Sequence, residues 1–140
     1  MNENLEQCNI SFNLKKNTLR GIHYQTYPYD EAKLVRCTRG KIFDVIIDLR
    51  PDSNNFKKWM SIELSSENFH MIYIPEGMAH GFQTLEDNTE VFYQMTQNYM
   101  PEFSKGIRWD DQMFNINWPN ESPILSKKDR EYLDFKESDI

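Results

Sequence analysis

Cysteine is nearly absent from this chain. Its two residues, Cys8 and Cys37, lack the CxxC or Cys/His spacing of a zinc site, and each has an apolar residue close by, Ile10 and Val35. They read as reduced packing residues rather than as a disulfide framework or a metal centre. There is no surplus of basic charge either. The 16 lysines and arginines against 22 acids leave a net charge of -6, a mean field that repels phosphate and argues against non-specific binding to nucleic acid or an anionic membrane. No apolar run approaches the roughly 20 residues of a membrane span, and Met1-Asn2-Glu3-Asn4 shows neither the charged nor the apolar region of a signal peptide. A cytoplasmic protein is expected. Internal repeats, low-complexity tracts and linkers are missing too, and 140 residues fit one domain, 1–140, long enough to bury a core without disulfides or a structural metal.

What the chain does have is a succession of β-rich runs. Lys33 to Thr38 and Ile42 to Leu49 carry Val and Ile, and Arg39-Gly40 between them predicts a hairpin turn joining two antiparallel strands. Trp59 to Leu64, Phe69 to Ile74 and Glu90 to Thr96 follow, separated by turn-forming clusters such as Pro51-Asp52-Ser53-Asn54-Asn55 and Ser65-Ser66-Glu67-Asn68. Short strands at this spacing predict an all-β sandwich or barrel. The one helical start is Ser126-Lys127-Lys128-Asp129 near the C-terminus. Any chemistry must therefore sit on a β scaffold.

Histidine is also scarce, with three residues in all, and two of them stand in informative surroundings. Leu19-Arg20-Gly21-Ile22-His23-Tyr24-Gln25 places His23 between a cation and an amide in a strand-like stretch. On a regular strand Arg20 and His23 would point to opposite faces. Gly21 between them permits a bulge that re-aims one side chain. If Pro28-Tyr29-Asp30 forms the next turn, Lys33 returns on the neighbouring strand, close enough to share a pocket with His23. Pro75-Glu76-Gly77-Met78-Ala79-His80-Gly81-Phe82 supplies His80 on a Gly/Pro-framed turn. Two histidines, Arg20 and Lys33 converging on one cavity would suit an anionic, carbonyl-bearing ligand. Asp129, three residues after Ser126, reads by pattern as a helix-capping acid, and Tyr93 as a strand aromatic.

These segments, taken in order with Gly40-Lys41-Ile42-Phe43-Asp44-Val45, Ile107-Arg108-Trp109-Asp110-Asp111, Asn117-Trp118-Pro119 and Leu125-Ser126-Lys127-Lys128-Asp129, resemble the dTDP-4-dehydrorhamnose 3,5-epimerase family. The resemblance runs from Gln7 to about Asp129. It implies an all-β, cupin-type jelly roll with a short C-terminal helical segment, a homodimer, and isomerase action on a nucleotide-linked 4-keto-6-deoxy sugar in deoxysugar biosynthesis, with no metal or organic cofactor. In its terms His23 matches the base that removes the proton next to the keto group, Asp129 its partner, Lys33 the cation beside the keto oxygen and Tyr93 the acid on the opposite face. Arg20, His80, Gln7, Asn9 and Tyr99 match residues that line the sugar-nucleotide pocket. The chain starts almost at Gln7, so the N-terminal segment through which family members contact the nucleotide is expected to be lacking. Two other readings compete. A metal-dependent cupin would carry a His-x-His pair, and Gln25 stands where its second histidine would be. A non-catalytic nucleotide-sugar binding protein would keep the pocket, but joint retention of His23, Lys33, Tyr93 and Asp129 argues against it.

Overall fold

A computed structural model describes residues 4–140. Among the described residues nine strands run in chain order: β1 Gln7–Asn13, β2 Leu19–Gln25, β3 Lys33–Arg39, β4 Lys41–Asp48, β5 Trp59–Ser65, β6 Met71–Ile74, β7 Met78–Thr84, β8 Thr89–Met95 and β9 Ser104–Gly106. An α-helical turn, α1 Lys127–Arg130, follows near the end. The strands form a four-stranded sheet, ordered β1-β8-β3-β6, and a five-stranded sheet, ordered β5-β4-β7-β2-β9. All the pairings within them are antiparallel. Strand order departs from chain order throughout, as it does in the jelly roll that the resemblance implies.

The Arg39-Gly40 turn is not a hairpin. It joins β3 of one sheet to β4 of the other, and the two strands do not pair. Gly40 has φ +77, and a Cβ there would lie 2.4 Å from the Thr89 hydroxyl oxygen. The corner therefore needs a residue with no side chain and left-handed backbone. Sequence alternation cannot separate a corner from a hairpin, because both put Gly between two apolar runs. The Phe69-to-Ile74 and Glu90-to-Thr96 runs shift to Met71–Ile74 and Thr89–Met95. His80 stands within strand β7, not on a turn. Cys37 is buried as expected, but Cys8 is exposed on the edge strand β1 and packs no core.

Two apolar clusters account for the layers. One includes Val35, Cys37, Ile42, Ile46, Leu64, Ile74, Phe82 and Val91, drawn from both sheets and packed between them. The other joins Ile22, Tyr24, Val45 and Ile47 on the far face of the five-stranded sheet to Ile107, Phe114, Trp118 and Phe135 of the C-terminal segment. Strand β4 is thus covered on both sides, which is why it reads as an apolar run rather than an alternating one. The indoles of Trp59 and Trp118 donate to the carbonyls of Phe114 (2.9 Å) and Trp109 (2.8 Å). Asp111 accepts from the backbone N–H of Phe135 at 2.8 Å. The C-terminal segment is therefore anchored to the back of the sheet that carries His23, and α1 is carried with it.

At the end of β4, the Asp48 carboxylate accepts from the Arg50 side chain at 2.9 and 2.7 Å and from the Ser53 hydroxyl at 2.6 Å. Asp48 is 4% exposed. The hydrogen bond to Arg50, opposed by burial and reinforced by Ser53, brings its carboxyl from the ordinary 3.8 down to about 2. Because the folded value lies below the unfolded one, this stabilisation is complete above about pH 4 and is lost as pH falls through about 2. Asp48→Asn is expected to reduce unfolding free energy by about 2 kcal/mol at pH 7. Urea unfolding of both proteins at pH 7 and pH 2.5 checks this, and the difference should narrow markedly at the lower pH.

Candidate active site

His23 is aimed by an irregularity in β2. The pairing of β2 with β7 changes register between Arg20 and His23, so Arg20 and His23 face the same cleft despite their odd spacing. Gly21 lies in the shift with φ +110, and a Cβ there would come within 2.8 Å of both the Gly81 Cα and the His80 carbonyl oxygen. The bulge anticipated at Gly21 is present, and only glycine fits it.

The cleft has two lobes, of about 350 and 460 Å3, that share His23, Lys33 and Tyr93. His23 comes from the five-stranded sheet, whereas Lys33 and Tyr93 come from β3 and β8 of the facing sheet. Lys33 thus meets His23 across the sandwich, not as a neighbour within one sheet as the Pro28-Tyr29-Asp30 turn suggested. Gln7, Asn9 and Tyr99 line the smaller lobe, and Arg20 and His80 the larger. The Gln7 amide donates to Asn9 at 3.2 Å and accepts from the Tyr99 backbone N–H at 3.0 Å, linking these three residues. Arg20 is held through a 2.6 Å bond to Asn13.

Two His–Asp pairs stand side by side, since His23 and His80 are register partners. His80 Nε2 lies 2.5 Å from Asp44, and their side chains are 10% and 0% exposed. His23 Nε2 lies 2.6 Å from Asp129 Oδ1, with the imidazole 40% exposed to the cleft and the carboxylate 7% exposed behind it. Of these two, access makes His23 the histidine that can exchange a proton with a ligand in the cleft. Asp129 also accepts from the Gly21 backbone N–H at 3.0 Å, and its own N–H donates to the Ser126 hydroxyl at 3.1 Å. Capping and pairing coexist: the backbone of Asp129 is capped while its carboxylate reaches into the site. Burial pushes that carboxyl up, but the His23 hydrogen bond and charge, with Gly21 and Ser126, outweigh it and hold the group below its ordinary value.

The cleft also holds residues that sequence reasoning passed over. Glu31 lines the smaller lobe, 2.9 Å from the Lys33 ammonium, and the two side chains are 9% and 11% exposed. Each buried charge is matched by the other; the spacing Glu31-Ala32-Lys33 at the start of β3 was the available signal. Lys128 and Ser104 line the same lobe. Tyr132 stands edge-on to His23, with ring centroids 6.1 Å apart, and had no pattern to reveal it. Gln25 is committed to backbone: its amide nitrogen donates to Tyr29 and Asn98 at 2.7 and 3.3 Å, and its oxygen accepts from Met100 at 2.7 Å. Among the described residues no group of three His, Cys, Asp or Glu is placed to hold a metal.

The chemistry open to this arrangement is proton transfer beside a carbonyl. A carboxylate-backed imidazole and a phenol come from opposing sheets, and an ammonium is available for a developing oxyanion.

Comparison with known proteins agrees with that geometry. The family profile described as dTDP-4-dehydrorhamnose 3,5-epimerase matches residues 1–137. A dTDP-4-dehydrorhamnose 3,5-epimerase of Sinorhizobium fredii is 45% identical over 126 residues, which are 89% of this chain and 65% of that protein. The chain therefore spans about two thirds of that relative's length. The crystal structure of dTDP-4-dehydrorhamnose 3,5-epimerase from Bacillus anthracis, with TDP and PPi bound, superimposes with a TM-score of 0.92 at 40% identity, covering 94% of this chain and 75% of that one. ChmJ, a 3'-monoepimerase from Streptomyces bikiniensis in complex with dTDP-quinovose, gives 0.87 at 29% identity, covering 94% and 66%. The two-sheet sandwich with its short C-terminal helix is the cupin-type jelly roll of these relatives.

Proposed function

The chain belongs to the dTDP-4-dehydrorhamnose 3,5-epimerase family, and from that premise we propose that it is an epimerase of a nucleotide-linked 4-keto-6-deoxyhexose, acting as a single domain without metal or organic cofactor. The observation that carries this reading is the placement of a base and an acid on opposing walls of one cleft. His23 takes the proton from the carbon next to the ketone, and the C–H electron pair passes into the carbonyl to give an enolate. Lys33 faces the oxygen on which that charge develops, in surroundings partly shielded from water, where a fixed cation counts for more than it would in bulk solvent. Tyr93 returns a proton to the other face of the same carbon, inverting it, and recovers its own proton from solvent. Asp129 orients the imidazole and stabilises the imidazolium while it holds the abstracted proton.

The nucleotide-sugar class is supported by the dTDP-quinovose bound to ChmJ and the TDP bound to the Bacillus anthracis enzyme. It is also supported by three cations, Lys33, Lys128 and Arg20, on the walls of a cleft in an acidic protein. Ligands that a cupin metal would need are engaged elsewhere, His23 by Asp129, His80 by Asp44 and Gln25 by backbone. A homodimer is supported by exposed Ile10, Phe12, Met71 and Tyr73 on strands of the four-stranded sheet. No helix among the described residues is long and apolar enough to cross a membrane.

Incubation in deuterium oxide with dTDP-4-keto-6-deoxyglucose and other nucleotide 4-keto-6-deoxy sugars tests the reading, with incorporated deuterons counted by mass spectrometry and located by NMR. Deuterons at C3 and C5 are expected of a 3,5-epimerase, and one at C3 of a 3-epimerase. Tyr93→Phe should still wash in deuterium yet invert poorly. Binding of these sugars with no incorporation would overturn the enzyme in favour of a binding protein.

A further inference from the structure

Tyr132 lies outside every motif that identifies the site, yet its ring meets the base edge-on at 6.1 Å with an interplanar angle of 78°. The ring occupies the space that a side chain at residue 106 would fill: a Cβ on Gly106 would come within 2.0 to 2.5 Å of three of its ring carbons. Gly106 belongs to β9 and is the register partner of His23, so the glycine leaves a slot directly beside the imidazole and the tyrosine fills it. The chain around Tyr132 is clamped. Arg108 donates to the Tyr132 carbonyl at 3.2 Å and is itself fixed by Asp110 at 2.5 Å and Asp134 at 2.7 Å. Burial first, then the charge of Asp129, Tyr99 and a hydrogen bond to Asp129, push the Tyr132 hydroxyl up to about 12, so the ring beside His23 is a neutral phenol whose hydroxyl also reaches the carboxylate behind it. An imidazole whose side chain is 40% exposed has room to turn about its χ angles, and the hydrogen bond to Asp129 restrains only one of its edges.

We propose that Tyr132 is a positioning residue for the base: its ring, braced on Gly106, holds His23 in the one orientation that keeps Asp129 behind it and the cleft in front. The positioning role rests on the epimerase reading only for its effect on rate; the ring contact itself does not depend on it. Edge-to-face packing of this kind is directional as well as apolar, and a base displaced by a fraction of an ångström loses rate without losing affinity.

The test uses substrate-free protein labelled with 15N-histidine, followed by exchange kinetics on the same samples. Wild type should give one set of His23 ring signals, assigned by their loss in His23→Asn. Tyr132→Phe keeps the ring but loses the hydroxyl's bond to Asp129; it should retain that single set, with a loss of exchange at least about threefold smaller than that of the leucine variant. Tyr132→Leu keeps comparable bulk without an aromatic edge; its His23 signals should broaden or double, and kcat should fall about 10- to 100-fold with KM within about threefold. Wild-type ring signals and rate in Tyr132→Leu would overturn the proposal, and so would an equal loss in Tyr132→Phe, which would assign the role to the hydroxyl's bond with Asp129 rather than to the ring. Because the NMR needs no substrate, a wild type that exchanges nothing would count against the epimerase reading and leave the positioning role to be judged on the ring signals.

Discussion

His23→Asn should lower solvent-proton exchange by about 10³-fold or more, while affinity for the nucleotide sugar stays within about tenfold. The asymmetry follows from where the imidazole acts. Its ring lines the cleft, while its bond runs to Asp129, which does not line it, so in the proposed role it acts on the proton in the transition state and little in ground-state binding. Asparagine is close to histidine in size and can hydrogen-bond Asp129, which keeps the buried carboxylate from being stranded, but it cannot accept a proton at neutral pH. Asp129→Asn should fall between that variant and wild type, because the base survives without the charge that orients and stabilises it. Deuterium incorporation followed by NMR, with affinity from calorimetry on the same proteins, checks both halves. Exchange in His23→Asn within tenfold of wild type would remove His23 from the role of base.

Gly21→Ala is the substitution expected to cost most in stability. A Cβ would meet two backbone atoms at 2.8 Å, the Gly81 Cα and the His80 carbonyl oxygen, and neither can rotate aside as a side-chain tip could. The backbone at φ +110 is itself unfavourable for alanine, a penalty on the order of 1 to 3 kcal/mol before any clash is counted. A total above about 3 kcal/mol would lower the melting temperature by roughly 10 °C in a chain of this size. Activity should suffer further, because the Gly21 N–H is one of the donors holding Asp129 and the bulge is what turns Arg20 and His23 into one cleft. A variant melting within 2 °C of wild type, with full exchange, would show that β2 and β7 can separate locally at no cost; differential scanning calorimetry settles the first part.

Legibility in the sequence varied with the kind of information each residue carries. His23, Arg20 and the bulge at Gly21 could be anticipated because strand periodicity makes an odd spacing conspicuous and glycine supplies the remedy. Lys33 was expected in the pocket by the wrong route: sequence proximity suggested the adjacent strand, whereas the chain crosses to the other sheet and reaches the same cleft from the front. The same crossing at Arg39-Gly40 was hidden, since a corner and a hairpin share their turn chemistry. Tyr93 and Asp129 have ordinary local explanations, packing and capping, and only the family resemblance raised them above those. β1 escaped notice because its alternation, with Ile10 and Phe12 exposed, is set among polar residues on an edge. Glu31 and Tyr132 matter through partners brought near only by the tertiary fold, and no local pattern encodes that.

The short helix that carries Asp129 has a consequence in time. His23 and Asp129 are 106 residues apart, the imidazole on β2 and the carboxylate on the helical turn that follows the last strand. During synthesis the imidazole exists long before the carboxylate does, so a partly made sandwich holds a histidine with no orienting acid. The pair therefore forms late, when the C-terminal segment docks on the back of the sheet and brings Asp129 to the Gly21 N–H. Docking of the C-terminal segment and pairing of His23 with its carboxylate thus become a single step.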